Sequence, residues 1–126
     1  MEITLPADCG NAPRVEIVGN FTVHWAEGNA AGVAEWLTDT SSWTLVGQET
    51  FHGFDASTKF PIPFTPRRLV VEAIITHGRL ASCDGYVEGD GARIDFSHAF
   101  RFASAVKTAR IAELRSYCIE TRPRAS

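Results

Sequence analysis

His98 is the residue of this sequence best placed to do chemistry. It lies in a predicted strand, where side chains alternate between the two faces of a sheet, and it shares its face with Ile94, Phe96, Phe100 and Phe102. A histidine among apolar neighbours can act as a general acid or base whose pKa is lowered by burial. The alternative, which the apolar row favours, is a histidine bonded within the core or at a dimer face.

An acid–base histidine needs an orienting or polarising partner. Tyr117 on the last predicted strand could hold a substrate oxygen and is a candidate catalytic residue beside His98. Glu72 interrupts an apolar strand, where an ionised carboxylate is costly unless it is paired or solvated. Glu72 therefore faces either a pocket or an arginine of the next strand on the outside of the sheet.

The aromatic residues provide walls for a pocket that would take a small hydrophobic or amphipathic molecule. Aromatic side chains at helical or strand spacing are equally typical of a plain core. The predicted pocket residues are Phe21, Trp25, Trp43, Phe60, Phe64, Glu72 and Phe100.

No motif in the sequence predicts a metal ion or a cofactor. Cys9, Cys83 and Cys118 lie far apart, without a Cys-x-x-Cys pair, so we expect reduced structural thiols. There is no phosphate-binding loop, no dinucleotide fingerprint and no serine nucleophile elbow. The functions that the sequence still allows are acid–base catalysis and ligand binding.

The elements that must position these residues begin with helices. Asn11 is a predicted cap, Pro13 lies in the first turn, and Gly28 ends a helix with one apolar face. A second, shorter helix is predicted to begin at Asn29 and to include Trp36. Both helices precede the predicted strands.

From residue 43 the apolar period changes from helical to alternating, which predicts a sheet. Prolines 61, 63 and 66 limit a short helix that starts near Asp55 and favour an ordered apolar loop over residues 60–64. Helices followed by long strands predict an α+β fold in which N-terminal helices pack on the concave face of a strongly bent antiparallel sheet. The predicted strands are 43–46, 50–54, 67–77, 81–88, 92–103 and 110–121.

Composition is that of one globular domain spanning residues 1–126, with 44% hydrophobic and 21% charged residues. Residues 1–10 do not resemble a targeting leader, and no apolar run approaches the roughly 18 residues of a membrane span, so we expect a cytoplasmic protein without membrane contact. The net charge of −3 argues against nucleic-acid binding. Acidic residues dominate the first half and basic residues the second, which suits either helix-on-sheet docking or subunit pairing.

Several short segments in the right order resemble the nuclear transport factor 2-like superfamily, in particular its SnoaL-like branch. The segments are 8–14, 43–47, 52–56, 75–78, 96–102 and 110–117. The resemblance implies a single domain with a cone-shaped, cystatin-like sheet, and a homodimer formed through the outer sheet face. It also implies a pocket that relatives have adapted to isomerases, polyketide cyclases, epoxide hydrolases and non-catalytic binders.

Three functions follow as hypotheses. The first is a small-molecule binder without a cofactor, which would be contradicted if the protein's own side chains filled the cone. The second is a cofactor-free isomerase, cyclase or epoxide hydrolase in which His98 moves a proton. The third is a protein-interaction module.

Overall fold

The computed structural model describes residues 1–7 and 12–122. Its elements follow the predicted order, with one strand at the start that the sequence did not signal. They are β1 (Glu2–Thr4), α1 (Pro13–Glu27), α2 (Ala30–Ala34), β2 (Ser42–Leu45), β3 (Thr50–His52), a 3-10 helix (Phe54–Thr58), β4 (Arg68–His77), β5 (Leu80–Gly89), β6 (Ala92–Phe102) and β7 (Ile111–Thr121).

The two helices are bounded largely as their end signals predict. Gly28 ends α1 in the left-handed conformation, with φ 72°. The Asn29 side chain accepts a hydrogen bond from the Gly32 backbone at 3.0 Å and so caps α2. Trp36, expected inside this helix, follows its end, and the proposed cap Asn11 lies outside the described residues. Among the described residues, no helix is long and apolar enough to cross a membrane.

All seven strands form one sheet in the order β1-β4-β5-β6-β7-β2-β3. The long strands β4 to β7 are antiparallel neighbours, whereas β1 pairs parallel to β4 and β2 pairs parallel to β7. The sheet is therefore mixed, whereas a purely antiparallel sheet was predicted. The alternation of apolar side chains reveals that a segment is a strand, but it does not reveal whether the strand runs parallel or antiparallel to its neighbour. The α+β class, with few helices on a strongly curled sheet, is confirmed.

A β-bulge in β4 explains part of the curvature. The register between β4 and β5 shifts between Val71 and Ala73, which leaves Glu72 as the extra residue. Opposite the bulge stands Gly85, where an added Cβ would lie 1.9 Å from the Val70 carbonyl oxygen. Only glycine permits this close approach of the two backbones.

The concave face of the sheet is covered by α1 and filled by aromatic side chains. Phe21 of α1 meets the edge of Phe100 at 5.5 Å between ring centroids, and Trp25 meets Phe96 at 5.1 Å. Phe21, Phe100 and Phe102 are all buried. The protein's own side chains thus occupy most of the interior in which the sequence predicted a pocket.

Candidate functional site

A recess of about 170 Å³ remains at the end of the concave face where β6 begins and β7 ends. One wall comes from α1 and β2, and the facing wall from the proline-broken segment after the 3-10 helix. The residues that line the recess are Trp25, Trp43, Leu45, Gln48, Phe60, Pro61, Ile62, Pro63, Ile94, Ser116, Cys118 and Glu120.

The two tryptophans of the recess have their polar atoms occupied within the protein. Trp25 Nε1 donates to the Phe60 carbonyl oxygen at 3.0 Å, which ties α1 to the facing wall. Trp43 Nε1 donates to the Ser116 hydroxyl oxygen at 2.8 Å. The Trp43 and Phe60 rings pack at 5.0 Å between centroids. These walls therefore offer no free indole N–H, and most of their accessible aromatic surface belongs to the half-buried Phe60, because Trp25 is 6% and Trp43 1% exposed.

His98 lies behind the recess and does not line it. Its side chain is fully buried between Trp25 and Phe96, with ring centroids at 4.6 and 4.9 Å. His98 Nδ1 lies 2.7 Å from the Ser116 hydroxyl oxygen, and Nε2 has no hydrogen-bond partner among the described residues. Desolvation by burial lowers the pKa of His98 to about 3, so the ring is neutral at physiological pH.

Three polar side chains complete the recess. Cys118 is half-buried, and burial raises the pKa of its thiol to about 11, so the thiol stays protonated. The Glu120 carboxylate is exposed and forms an ion pair with Arg122 through Oε2. Arg122 also donates to the Pro63 carbonyl oxygen at 3.3 Å and so links β7 to the facing wall. Gln48 lies in the turn between β2 and β3.

The predicted aromatic pocket residues divide between the recess and the core. Trp25, Trp43 and Phe60 line the recess. Phe21 and Phe100 are buried in the aromatic core on the concave face, where they touch each other and not the recess. Phe64, predicted in the same group, is half-buried against the core and does not line the recess either.

Tyr117 and Glu72 lie on the convex face, so Tyr117 is not beside His98 as predicted, and Glu72 takes the outer of the two places considered for it. Tyr117 pairs in register with Ser97, so its side chain points to the opposite face from Ser116 and His98 and is 46% exposed. Glu72 is exposed at the bulge, near the acidic Asp84. Among the described residues Glu72 forms no ion pair, so the arginine partner considered from the sequence is not found.

The polar residues that β7 contributes to the recess were not predicted from the sequence. Ser116, Cys118 and Glu120 share the inward face of this strand with the fully buried Leu114. Because every second side chain of a strand lies on the same face, the alternation that starts at the apolar Leu114 predicts that residues 116, 118 and 120 also face inward. Tyr117, the more conspicuous residue, has the opposite parity.

The cysteines and acids of the described residues do not gather into a metal site. No group of three His, Cys, Asp or Glu residues within 1–7 and 12–122 could hold a metal ion. Cys83 is buried as a free thiol, and burial raises its pKa to about 12. Cys9 lies outside the described residues.

Solved structures with the same architecture come from several bacteria. An NTF2-like protein of unknown function from Burkholderia xenovorans matches with a TM-score of 0.66 and 13% identity, over 90% of this chain and 86% of that one. An LEH-like epoxide hydrolase from M. tuberculosis matches with a TM-score of 0.62 and 15% identity, over 85% of this chain and 83% of that one. A proposed SnoaL-like polyketide cyclase from Shewanella denitrificans matches with a TM-score of 0.62 and 11% identity, over 82% of this chain and 88% of that one. No protein-family model matches the sequence, and neither does any curated protein. At these identities the comparisons establish the fold alone.

Proposed function

Given that this chain has the nuclear transport factor 2-like fold, we propose that it binds a small molecule in the recess between Trp25, Trp43 and the segment 60–63. The supporting observation is that aromatic walls and three polar side chains of β7 converge on one concave space. Small-molecule sites typically have this composition. Aromatic side chains fill most of the interior and leave this recess, so the cone is not completely filled and the site is smaller than the pocket expected from the sequence.

Binding is favoured over acid–base catalysis by the surroundings of His98. A useful general base at neutral pH has a pKa near that pH, whereas burial lowers the pKa of His98 to about 3. Among the described residues, the polar contact of the ring with the recess lining is the bond to Ser116, and its other contact with the lining is the edge-on packing against Trp25. A proton would therefore have to pass through the Ser116 hydroxyl and leave a cation buried among aromatic rings, which is costly.

The binding proposal can be tested by NMR with the three tryptophan indole N–H signals as reporters. Trp25 and Trp43 line the recess, whereas Trp36 does not. A panel of small aromatic and alicyclic compounds, added one at a time, should include members that shift the Trp25 and Trp43 signals and leave Trp36 unchanged. If no compound shifts either signal, or all three signals shift together, the recess is not a selective site.

A pair of neighbouring substitutions on β7 provides the matched control. Cys118→Phe adds a ring on the inward face and should fill the recess, so the ligand-induced shifts should disappear. Ile119→Phe adds a ring on the opposite face, where the side chain is 70% exposed, and should leave binding unchanged. Binding that survives Cys118→Phe would place the ligand elsewhere.

A second proposal concerns a homodimer, and it rests on the convex face of the sheet. Ile75, Tyr117 and Ile119 are 65%, 46% and 70% exposed there, which is unusual for large apolar side chains on a central sheet. The strand register places Glu72, Asp84 and Asp95 beside Tyr117 and Ile119, and it places Arg101 and Arg115 in the next rows, where Glu113 pairs with Arg115. A twofold axis between the acidic and the arginine rows would set the acids of one subunit against the arginines of the other and cover the exposed apolar side chains.

Analytical ultracentrifugation at micromolar concentration tests this dimer. Ile119→Glu replaces an exposed apolar side chain of this face by a further negative charge beside Asp95 and should shift the mass toward the monomer. Val106→Glu is the control, because Val106 is 60% exposed in the loop between β6 and β7. A wild-type monomer, or a dimer indifferent to Ile119→Glu, would contradict the proposal.

A further inference from the structure

We propose that the recess selects a ligand made of a single ring that carries a protonated amine, with the ring against Trp25, Trp43 and Phe60 and the ammonium group at Glu120. This inference rests on the proposed binding function and specifies its ligand class. It is carried by the volume, the lining and the charge of the recess.

The volume limits the ligand to about one ring. The recess holds about 170 Å³. A protein cavity of roughly 150 Å³ accommodates benzene, whereas pockets for drug-sized ligands span roughly 300–1,000 Å³. A fused polycyclic ligand would not fit unless the segment 60–63 moved, and that segment is held by the bonds from Trp25 and Arg122.

The walls suit a ring and a cation together. Both indole N–H groups are already bonded, to the Phe60 carbonyl and the Ser116 hydroxyl, so the tryptophans contribute π surface only. Aromatic faces attract a cation through their quadrupole, most strongly for tryptophan. The two indoles therefore provide no donor for an anionic ligand, and the Gln48 carboxamide is an uncharged donor of the lining.

Among the described residues that line the recess, Glu120 is the charged side chain, and it is paired with Arg122. The Cys118 thiol stays protonated because burial raises its pKa to about 11. Arg122 Nε is bonded to Glu120 Oε2, which leaves Oε1 as an acceptor for an ammonium group. Arg122 is then a competitor of the ligand for this carboxylate, and its removal should strengthen amine binding.

The experiment compares three probes of nearly equal size: benzylamine, benzyl alcohol and benzoate. Each is titrated at neutral pH while the Trp25 and Trp43 indole signals are followed. Benzylamine should bind roughly three- to tenfold more tightly than benzyl alcohol, as one exposed ion pair and one cation–π contact allow. Benzoate should bind most weakly.

Two carboxylate substitutions on β7 separate the local charge from the overall charge. Glu120→Gln should reduce the preference for benzylamine to the smaller part that the cation–π contact provides. Glu113→Gln removes a carboxylate that is likewise paired with an arginine two residues on, but it lies away from the recess and should keep the amine preference. Arg122→Gln also removes the bond to the Pro63 carbonyl oxygen, so the expected result is a higher affinity for benzylamine relative to benzyl alcohol.

The outcomes distinguish this inference from the function on which it rests. If benzyl alcohol shifts Trp25 and Trp43 but benzylamine binds no more tightly, the recess binds ligands and the amine selectivity is wrong. Tighter binding of benzoate, or an amine preference that Glu120→Gln leaves undiminished, also overturns the selectivity. If none of these probes or the wider panel shifts either signal, the binding function itself fails.

Discussion

His98 Nδ1 lies 2.7 Å from the hydroxyl oxygen of Ser116, and this pair connects the buried aromatic core to the floor of the recess. An indole N–H can only donate, so the bond from Trp43 Nε1 makes the Ser116 oxygen an acceptor. The Ser116 hydroxyl can in turn donate to His98 or accept from it. One serine thus satisfies two ring nitrogens that would otherwise be buried without a partner.

Substitution of His98 should reduce stability strongly. His98→Ala would leave a cavity between Trp25 and Phe96 and remove one partner of Ser116. We expect a loss of about 2–4 kcal/mol in the free energy of unfolding, measured by urea denaturation. His77→Ala, at the exposed end of β4, should change stability by less than about 0.5 kcal/mol. Equal, small effects of both substitutions would show that the His98 site is loosely packed.

Stability should also depend on pH through His98. The pKa of this group is about 3 in the folded protein and about 6.5 in the unfolded chain. Between these values the unfolded chain binds more protons, so the free energy of unfolding rises with pH. The His98 contribution is fully present above pH 6.5 and is lost as the pH falls toward 3, at up to about 1.4 kcal/mol per pH unit.

A comparison of wild type with His98→Phe isolates this pH dependence, since carboxylates common to both proteins cancel. Urea denaturation at pH 7, 6, 5 and 4 should show the wild type losing stability faster than the variant as the medium becomes more acidic. Parallel curves would mean that His98 is not held neutral by burial.

The order of the elements could be predicted from the sequence because its signals are local. Pro13, Gly28 and Asn29 mark the helix ends, and the change to alternating apolar residues marks the sheet. By contrast, β1 is three exposed residues, so neither periodicity nor burial signals it. Its pairing depends on contact with β4, which is distant in sequence.

The site was harder to predict because it depends on register and bulges. The pairing of His98 with Ser116 is set by the alignment of β6 with β7, which shifts at Arg101. Alternation alone puts His98 on an apolar face, but it cannot show whether that face lines a cavity or fills it. Here Trp25 and Phe96 pack against the His98 ring and fill the space around it. The charged side chain that lines the recess is Glu120 and not His98.

The close approach at Gly85 makes a further prediction. A Cβ at this position would lie 1.9 Å from the Val70 carbonyl oxygen, which belongs to the paired backbone and cannot swing aside. Gly85→Ala should therefore lower the free energy of unfolding by about 1–3 kcal/mol or more. Ser82→Ala on the same strand, half-buried on the convex face, should be nearly neutral. A tolerated alanine at 85 would mean that the bulge in β4 is adjustable.

A double-mutant cycle can measure the bond between His98 and Ser116. Ser116→Ala leaves both Trp43 Nε1 and His98 Nδ1 buried without a partner, so it should cost about 1–3 kcal/mol per unpaired group. In that background His98→Phe removes one unpaired atom and should cost less than it does in the wild type. The two substitutions should therefore be coupled by about 0.5–3 kcal/mol, obtained from urea denaturation of the four proteins.

Ser97→Ala, on the opposite face of β6, is the control and should show no coupling with His98→Phe. Additive effects of Ser116→Ala and His98→Phe would mean that the two side chains do not act as a pair.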